Sequence, residues 1–83
     1  MAAMAVVPSE IASIVARVLE VPSTIDPDAD FVADLAIDSL HLLELVVALE
    51  ERLGIAYEPQ DVDAMRSLRT VVRITGDRMM RAR

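Results

Sequence analysis

The sequence has 83 residues, enough for one small domain, and it contains no cysteine, which excludes a disulfide scaffold and a thiolate metal site. Its net charge of −6 is unevenly distributed, with −11 over residues 1–63 and +5 over residues 64–83. The acidic body argues against a nucleic acid partner and predicts basic protein partners. We interpret the arginine-rich end as a solvated helix face opposite the acids, because its charges are spaced and do not form a run.

The N-terminal third predicts a short tail followed by a first helix. Residues 1–8 are mostly apolar but too few to span a bilayer, and no basic stretch precedes them, so we expect a tail and not a signal or an anchor. Pro8 and Ser9 predict that helix one begins at residue 9, with Ser9 as its N-cap, and that it continues to residue 20, with Pro22 soon after. Apolar residues recur along it at helical spacing and predict its buried stripe: Ile11, Ile14, Val15 and Val18, with Leu19 at the edge.

A long loop follows over residues 21–38, where two prolines and five aspartates forbid a long regular element. Loops of this length are uncommon in small domains and are usually functional. We expect its apolar residues to pin it across the helices: Val21, Ile25, Phe31, Leu35 and Ile37. Its aspartates do not form a calcium loop, because the required glycine and glutamate are replaced by Phe31 and Ile37. We interpret them as turn-forming and helix-capping acids and predict no metal site.

Helix two is predicted over residues 39–53, and Gly54 is suited to end it as a C-cap. One side carries the core stripe: Leu42, Leu45, Val46, Leu49 and Leu53. A second side mixes apolar and acidic residues: Leu40, Leu43 and Val47 with Glu44, Glu50 and Glu51. Periodicity leaves two explanations for this second side open. It is either a partner-binding face, or the mark of a helix buried on two sides of a small bundle.

Two further helices complete the chain. Pro59 predicts a short helix over residues 59–64, and Ser67 is suited to cap a last helix over residues 68–80. The inner stripe of the last helix is predicted to contain Leu68, Val71, Val72, Thr75 and Met79.

The predicted fold is all-α: a small four-helix bundle with three longer helices, one short helix and a long loop between helices one and two. We expect a single domain, with an N-terminal tail over residues 1–8, the bundle over residues 9–80 and a C-terminal tail over residues 81–83.

The chain offers little for catalysis. Its single histidine, His41, lies two residues after Ser39, and on a helix this spacing points the two side chains in different directions. This argues against a local Ser–His dyad and so against a small serine hydrolase, and two glycines so placed cannot form a phosphate-binding loop. Ser39 itself stands where the loop meets helix two, beside the positive end of the helix, where an attached phosphate is tolerated. We therefore predict a non-enzyme whose useful chemistry is added to it.

The stretch from Phe31 to Leu53 reads FVADLAIDSLHLLELVVALEERL. With the order of the predicted elements, it resembles the acyl carrier protein family over residues 9–80. The resemblance rests on Asp34 and Leu35, on Asp38-Ser39-Leu40, and on the stretches ELV at 44–46 and ALEE at 48–51. It implies that the Ser39 hydroxyl is joined by a phosphodiester to 4′-phosphopantetheine from coenzyme A, with Asp38 and Leu40 completing the motif. The thiol of this arm would then hold an acyl group as a thioester.

The resemblance also favours the partner-binding explanation for helix two. It implies contacts with a phosphopantetheinyl transferase and with acyl-loading and synthase enzymes that carry basic docking patches. The matching positions are Leu40, Leu43, Glu44, Val47, Glu50 and Glu51. We expect a cytoplasmic monomer that binds neither nucleic acid nor membrane.

Two positions depart from the family pattern. Ala36 stands where glycine is usual, and it is strained only if its φ is positive. His41 stands where many fatty-acid carriers have an acid, which leaves room for a specialised pathway.

Three functions stay open on the sequence. The first is an acyl carrier of fatty-acid, polyketide or related biosynthesis, and the second is a peptidyl or aminoacyl carrier of the same fold. The third is an unmodified helical adaptor in which Ser39 is an ordinary first-turn serine. Asp38 can itself be the N-cap, which would leave the Ser39 side chain free.

Overall fold

Four helices in the predicted order make up the part of the chain that the structure describes. The computed structural model describes the backbone of residues 2–81 and the side chains of residues 9–80. The helices are α1 (Ala2–Leu19), α2 (Ser39–Leu53), α3 (Pro59–Ala64) and α4 (Leu68–Arg81). Within residues 2–81 there is no strand, so the predicted all-α bundle with one short helix and a long loop is confirmed.

Helix α1 begins earlier than predicted. It starts at Ala2, so Pro8 and Ser9 lie inside it, and the prediction that Ser9 is the N-cap is wrong. Alanine and methionine before Pro8 are good helix formers, and a proline removes one backbone hydrogen bond without having to end a helix. The predicted tail over residues 1–8 is therefore helical backbone from residue 2. The remaining tail residues, Met1, Ala82 and Arg83, lie outside the described part of the chain.

The core lies where α1 packs against both α2 and α4. Its most buried side chains come from the predicted stripes and from two connections: Ile11, Ile14, Val15, Leu19, Phe31, Leu45, Val46, Leu49, Met65, Leu68, Val71 and Ile74. On α4 the stripe is shifted slightly from the prediction, because Ile74 is buried and Met79 is only half-buried. Each such side chain contributes about 1.5–3 kcal/mol by leaving water.

Backbone hydrogen bonds fasten the long loop to the start of α4. Phe31, fully buried, donates its N–H to the carbonyl of Arg66 at 2.7 Å, and Arg69 donates its N–H to the carbonyl of Pro27 at 3.0 Å. Val21, Leu35 and Ile37 are half-buried against the core, as predicted. The loop therefore has a fixed path over the bundle.

Two arginines reinforce this path. Arg66 Nε lies 3.1 Å from Asp30 Oδ2, and Arg69 Nε lies 2.6 Å from Asp28 Oδ1. Hydrogen bonding from Arg69 holds the pKa of Asp28 below its ordinary value. Arg66 and Arg69 are exposed as predicted, but they are more than a solvated face, because they join α4 and the connection before it to the loop. Arg78 departs from the prediction, because its side chain is only 15% exposed.

Helix α3 is held mainly by polar contacts, since none of its residues is fully buried. Glu58 and Asp61 form a capping box at its start, in which the Glu58 N–H donates to Asp61 Oδ2 at 2.9 Å. Arg78 of α4 reaches the same carboxylate, with its Nε 2.6 Å from Asp61 Oδ2. Just before α3, the hydroxyl of Tyr57 is hydrogen-bonded to that of Thr75, which gives this fully buried threonine a partner.

Candidate functional site

The start of α2 is capped by Asp38 and not by Ser39. Asp38 has extended backbone angles, and its Oδ1 accepts a hydrogen bond from the His41 N–H at 2.9 Å. The same oxygen lies 2.8 Å from His41 Nδ1. The backbone N–H and the ring of His41 hold the pKa of Asp38 below its ordinary value, and Asp38 in turn raises the pKa of His41. The prediction that Asp38 is the N-cap is confirmed.

Ser39 is left free by this arrangement. It is the first residue of α2 and is exposed, and its hydroxyl makes no hydrogen bond to another side chain or backbone group within the described residues. Backbone N–H groups at a helix start favour negative charge nearby. A negative charge added at Ser39 would therefore lie beside these N–H groups.

A groove of about 450 Å³ opens beside Ser39. Its walls come from the loop, from α2, from α3 and from the connection before α4: Asp30, Val32, Ser39, Leu40, Leu42, Leu43, Val62, Asp63, Met65 and Arg66. Most of these side chains are apolar, so the groove can shelter an apolar chain that begins at the serine.

Sequence reasoning found the α2 side of this groove but missed the rest. Val32, Val62, Met65 and Arg66 come from separate segments, and no spacing rule brings such segments together. One signal was available in the sequence, because Val32 is an apolar residue in an acid-rich loop. In the structure Val32 is 57% exposed.

The outer side of α2 is exposed, which removes the alternative of a helix buried on two sides. Leu40 is 63% exposed, Leu43 is 54% exposed and Val47 is 48% exposed. With Glu44, Ala48 and Glu51 they line a shallow depression of about 340 Å³, which we call the α2 face. The face combines apolar and acidic groups, as protein interfaces do at their centre and rim.

Glu50 differs from the other predicted partner-binding residues. It is half-buried, and its Oε2 accepts a hydrogen bond from the Tyr57 N–H at 2.9 Å. Its carboxylate therefore holds the connection between α2 and α3. Helical spacing alone did not separate it from Glu51, because the position of Tyr57 depends on how the chain turns after Gly54.

Ala36 lies in the left-handed region of backbone space, with φ of +57°. This is the condition under which alanine is strained where the family usually has glycine, and the strain is about 1–2 kcal/mol. The turn sits two residues before Asp38 and leads directly into the cap of α2. The loop therefore approaches the site through a strained alanine.

Two other kinds of site are not found in the described chain. Over its described residues, no group of three or more histidine, aspartate or glutamate side chains could hold a metal ion. Of the helices between residues 2 and 81, none combines the length and the apolar character needed to cross a membrane.

The sequence that builds this site matches a known protein family. Residues 9–74 match the family model described as phosphopantetheine attachment site. That stretch contains the loop, the cap, the serine and the groove. The chain is thus a carrier domain for a covalently attached phosphopantetheine group, and carriers of this class are not enzymes.

Individual relatives agree with this class. The chain is 36% identical over 74 residues to the meromycolate extension acyl carrier protein of Mycobacterium leprae, covering 83% of this chain and 64% of that protein, which is less than two thirds of its length. It is 33% identical over 69 residues to the acyl carrier protein of Helicobacter pylori strain G27, covering 82% of this chain and 88% of that protein. A solved chain from Mycobacterium tuberculosis described as an acyl carrier protein superposes with a TM-score of 0.77 at 25% identity, covering 86% of this chain and 96% of that one. This chain belongs to the acyl carrier protein family.

Proposed function

We propose that Ser39 carries the 4′-phosphopantetheine arm, and that the protein presents acyl thioesters to cytoplasmic enzymes of fatty-acid, polyketide or related biosynthesis. The observation that carries the assignment to Ser39 is that a different residue, Asp38, caps the start of α2. Asp38 makes the capping hydrogen bond to His41, while the Ser39 hydroxyl stays exposed. By contrast, Ser67 is buried and hydrogen-bonded to Thr70.

The residues around Ser39 fit this prosthetic group. The apolar groove of about 450 Å³ begins at the serine, with Leu42 and Val62 on its walls. The chain has no cysteine of its own, so it has no native thiol that could compete. When bound, the arm supplies the thiol on which an acyl group is held as a thioester.

The α2 face is the proposed docking surface for the transferase and for acyl-loading and synthase enzymes. Three exposed apolar residues provide the contact area, and Glu44 and Glu51 provide negative charge beside them. Such charges accelerate encounter with a basic patch and fix its orientation. Glu50 contributes indirectly, by holding the connection after α2. We propose that the carrier acts as a monomer and binds neither nucleic acid nor membrane.

Charge reversal separates this docking role from general electrostatics. Glu44→Lys and Glu51→Lys should weaken binding to the transferase, mostly at low salt, because screening removes the attraction at high salt. Glu10→Lys is the matched control, since Glu10 is exposed on α1 and is not among the residues that line the α2 face. Equal effects of all three variants, or none at low salt, would exclude the α2 face as the docking surface.

Titration of free thiols tests the arm itself. Before incubation with coenzyme A and a broad-specificity phosphopantetheinyl transferase the protein should show no thiol, and afterwards a single thiol per chain. Ser39→Ala should fold and show none, whereas Ser23→Ala, at an exposed loop serine, should behave as the wild type. A thiol gained by Ser39→Ala would refute the site, and no thiol on folded wild type would favour the unmodified adaptor.

The same holo protein distinguishes the two kinds of carrier. An acyl carrier should be loaded by acyl-transferring enzymes and not by an adenylating amino-acid ligase. The relatives reported above are named as acyl carriers, which supports the first outcome. Loading by the ligase alone would establish a peptidyl or aminoacyl carrier.

A further inference from the structure

The groove beside Ser39 contains more negative than positive charge. Asp30 and Asp63 line it, and Arg66 is the one cationic side chain on its walls among the described residues. Asp38 is also next to the serine in sequence. A phosphodiester on Ser39 would therefore add negative charge to an acidic surface, and a nearby cation would offset this repulsion in addition to the backbone N–H groups at the start of α2.

Arg66 is fixed in place at its backbone. Its carbonyl accepts the 2.7 Å hydrogen bond from the N–H of buried Phe31, and its own N–H donates to Thr70 Oγ1 at 3.1 Å. The Arg66 backbone is thus held between the loop and the first turn of α4.

Its side chain is oriented by an anchored carboxylate. Asp30 Oδ1 accepts hydrogen bonds from the N–H groups of Val32 and Ala33 at 2.9 and 2.8 Å. Asp30 Oδ2 accepts from Arg66 Nε at 3.1 Å. Because the Ala33 N–H and the Arg66 side chain hold the pKa of Asp30 below its ordinary value, this carboxylate stays ionised and keeps its hold on the guanidinium.

The contact with Asp30 leaves donors on Arg66 unused. It involves Nε, and neither terminal nitrogen of Arg66 pairs with a described residue. The side chain is 67% exposed, so a second anion can reach it. A guanidinium has five N–H donors in a planar fork that suits the oxygens of phosphate.

We propose that Arg66, oriented by Asp30, binds the phosphate of the arm on Ser39 and so directs the arm into the groove. This inference rests on the proposed attachment at Ser39. It makes Arg66 a positioning residue, which sets where the arm lies once attached.

Arg69 provides a matched control. It also joins α4 to the loop, through Asp28, and its side chain is 65% exposed, close to the 67% of Arg66. It lines a different groove, together with Pro27 and Val72. Loss of Arg69 thus removes a comparable link without removing a cation from beside Ser39.

The test compares holo forms of the wild type, Arg66→Gln, Arg66→Lys and Arg69→Gln. Phosphorus-31 NMR reports the surroundings of the phosphodiester, and thermal unfolding of the apo and holo forms at low salt reports its effect on stability. We expect Arg66→Gln to shift the phosphorus resonance and to make the holo form less stable relative to the apo form, on the order of a few degrees in midpoint. Arg66→Lys should recover part of both effects, and Arg69→Gln should show neither.

The thiol count separates this inference from the proposed function. Each variant should still gain its thiol, because Arg66 is assigned to positioning and not to attachment. If the thiol is gained but Arg66→Gln and Arg69→Gln behave alike in both measurements, Arg66 does not bind the phosphate. If the folded wild type gains no thiol, the attachment at Ser39 and this inference both fail.

Discussion

The two halves of the molecule, the core of α1, α2 and α4 and the segments formed by the long loop and α3, are each stabilised by different interactions. Helices α1, α2 and α4 meet through side chains that are entirely buried, such as Ile11, Leu45 and Val71. The long loop and α3 have fewer buried side chains and depend more on hydrogen bonds and ion pairs, with Phe31 as the single fully buried side chain of the loop. The groove beside Ser39 lies between these halves, with α2 on one side and the loop and α3 on the other.

This difference suits a site that has to admit a flexible group. Apolar burial is not screened by salt and resists local opening, whereas an exposed ion pair such as Arg69–Asp28 contributes little and is screened. Segments with few buried contacts also open locally at low free energy. We therefore expect the α2 wall of the groove to be rigid and the α3 wall to move.

The largest effect is expected on the rigid side. Leu45→Ala should lower the free energy of unfolding by about 2–5 kcal/mol, because Leu45 is fully buried in the core. Leu43→Ala, on the same helix at a residue that is 54% exposed, should change it by no more than about 0.5 kcal/mol. Urea unfolding of the two variants measures the difference. Similar losses in both would mean that α2 is not oriented as described.

A smaller effect is expected from two left-handed turns, one in the loop and one at the end of α2. Ala36→Gly should raise the free energy of unfolding by about 0.5–1 kcal/mol by removing strain at φ of +57°. Gly54→Ala should lower the free energy of unfolding by about 1 kcal/mol, because Gly54 has φ of +66°. The loss should not be larger, because a Cβ there would meet no atom within 4 Å. Chemical denaturation checks both signs. A destabilising Ala36→Gly would show that the loop turn is not strained.

The smallest effect on the free energy of unfolding is expected from a substitution that loosens α3. It should change the local opening of that helix and leave the core as it is. Arg78→Gln removes the ion pairs to Asp61 and Glu58 and should speed amide hydrogen exchange in α3, while the core amides of α2 keep their protection. Arg73→Gln is the control, since Arg73 is exposed on the same helix and pairs with no acid in the described chain. If α3 and α2 lose protection together in Arg78→Gln, the two walls of the groove open as one unit.

The difference between the apolar core and the polar links of the loop and α3 also explains which features could be predicted from the sequence. The boundaries of α2 and α3 and most buried positions follow from helical periodicity and from caps such as Gly54, which are local signals. The links of Arg66 to Asp30 and of Arg78 to Asp61 join residues far apart in the chain, so no local pattern indicates them. At Ser9 the local signal is misleading, because a residue well suited to capping lies inside a helix that the alanines and methionine before it extend.

At the candidate site, too, features that depend on contacts between distant residues could not be predicted from the sequence. Asp38-Ser39-Leu40 and the exposed side of α2 could be identified from spacing and from resemblance. The positive φ of Ala36 and the hydrogen bond from Tyr57 to Glu50 could not, because each depends on the path of a connection in three dimensions.

The central claim is that Ser39 is the attachment residue, and peptide mapping by tandem mass spectrometry tests it most directly. After incubation with coenzyme A and a phosphopantetheinyl transferase, fragment ions should place the added phosphopantetheine on Ser39 and on no other hydroxyl. Ser39→Ala should remain unmodified under the same conditions. Placement of the group on Ser23 or another residue, or its addition to Ser39→Ala, would contradict the claim.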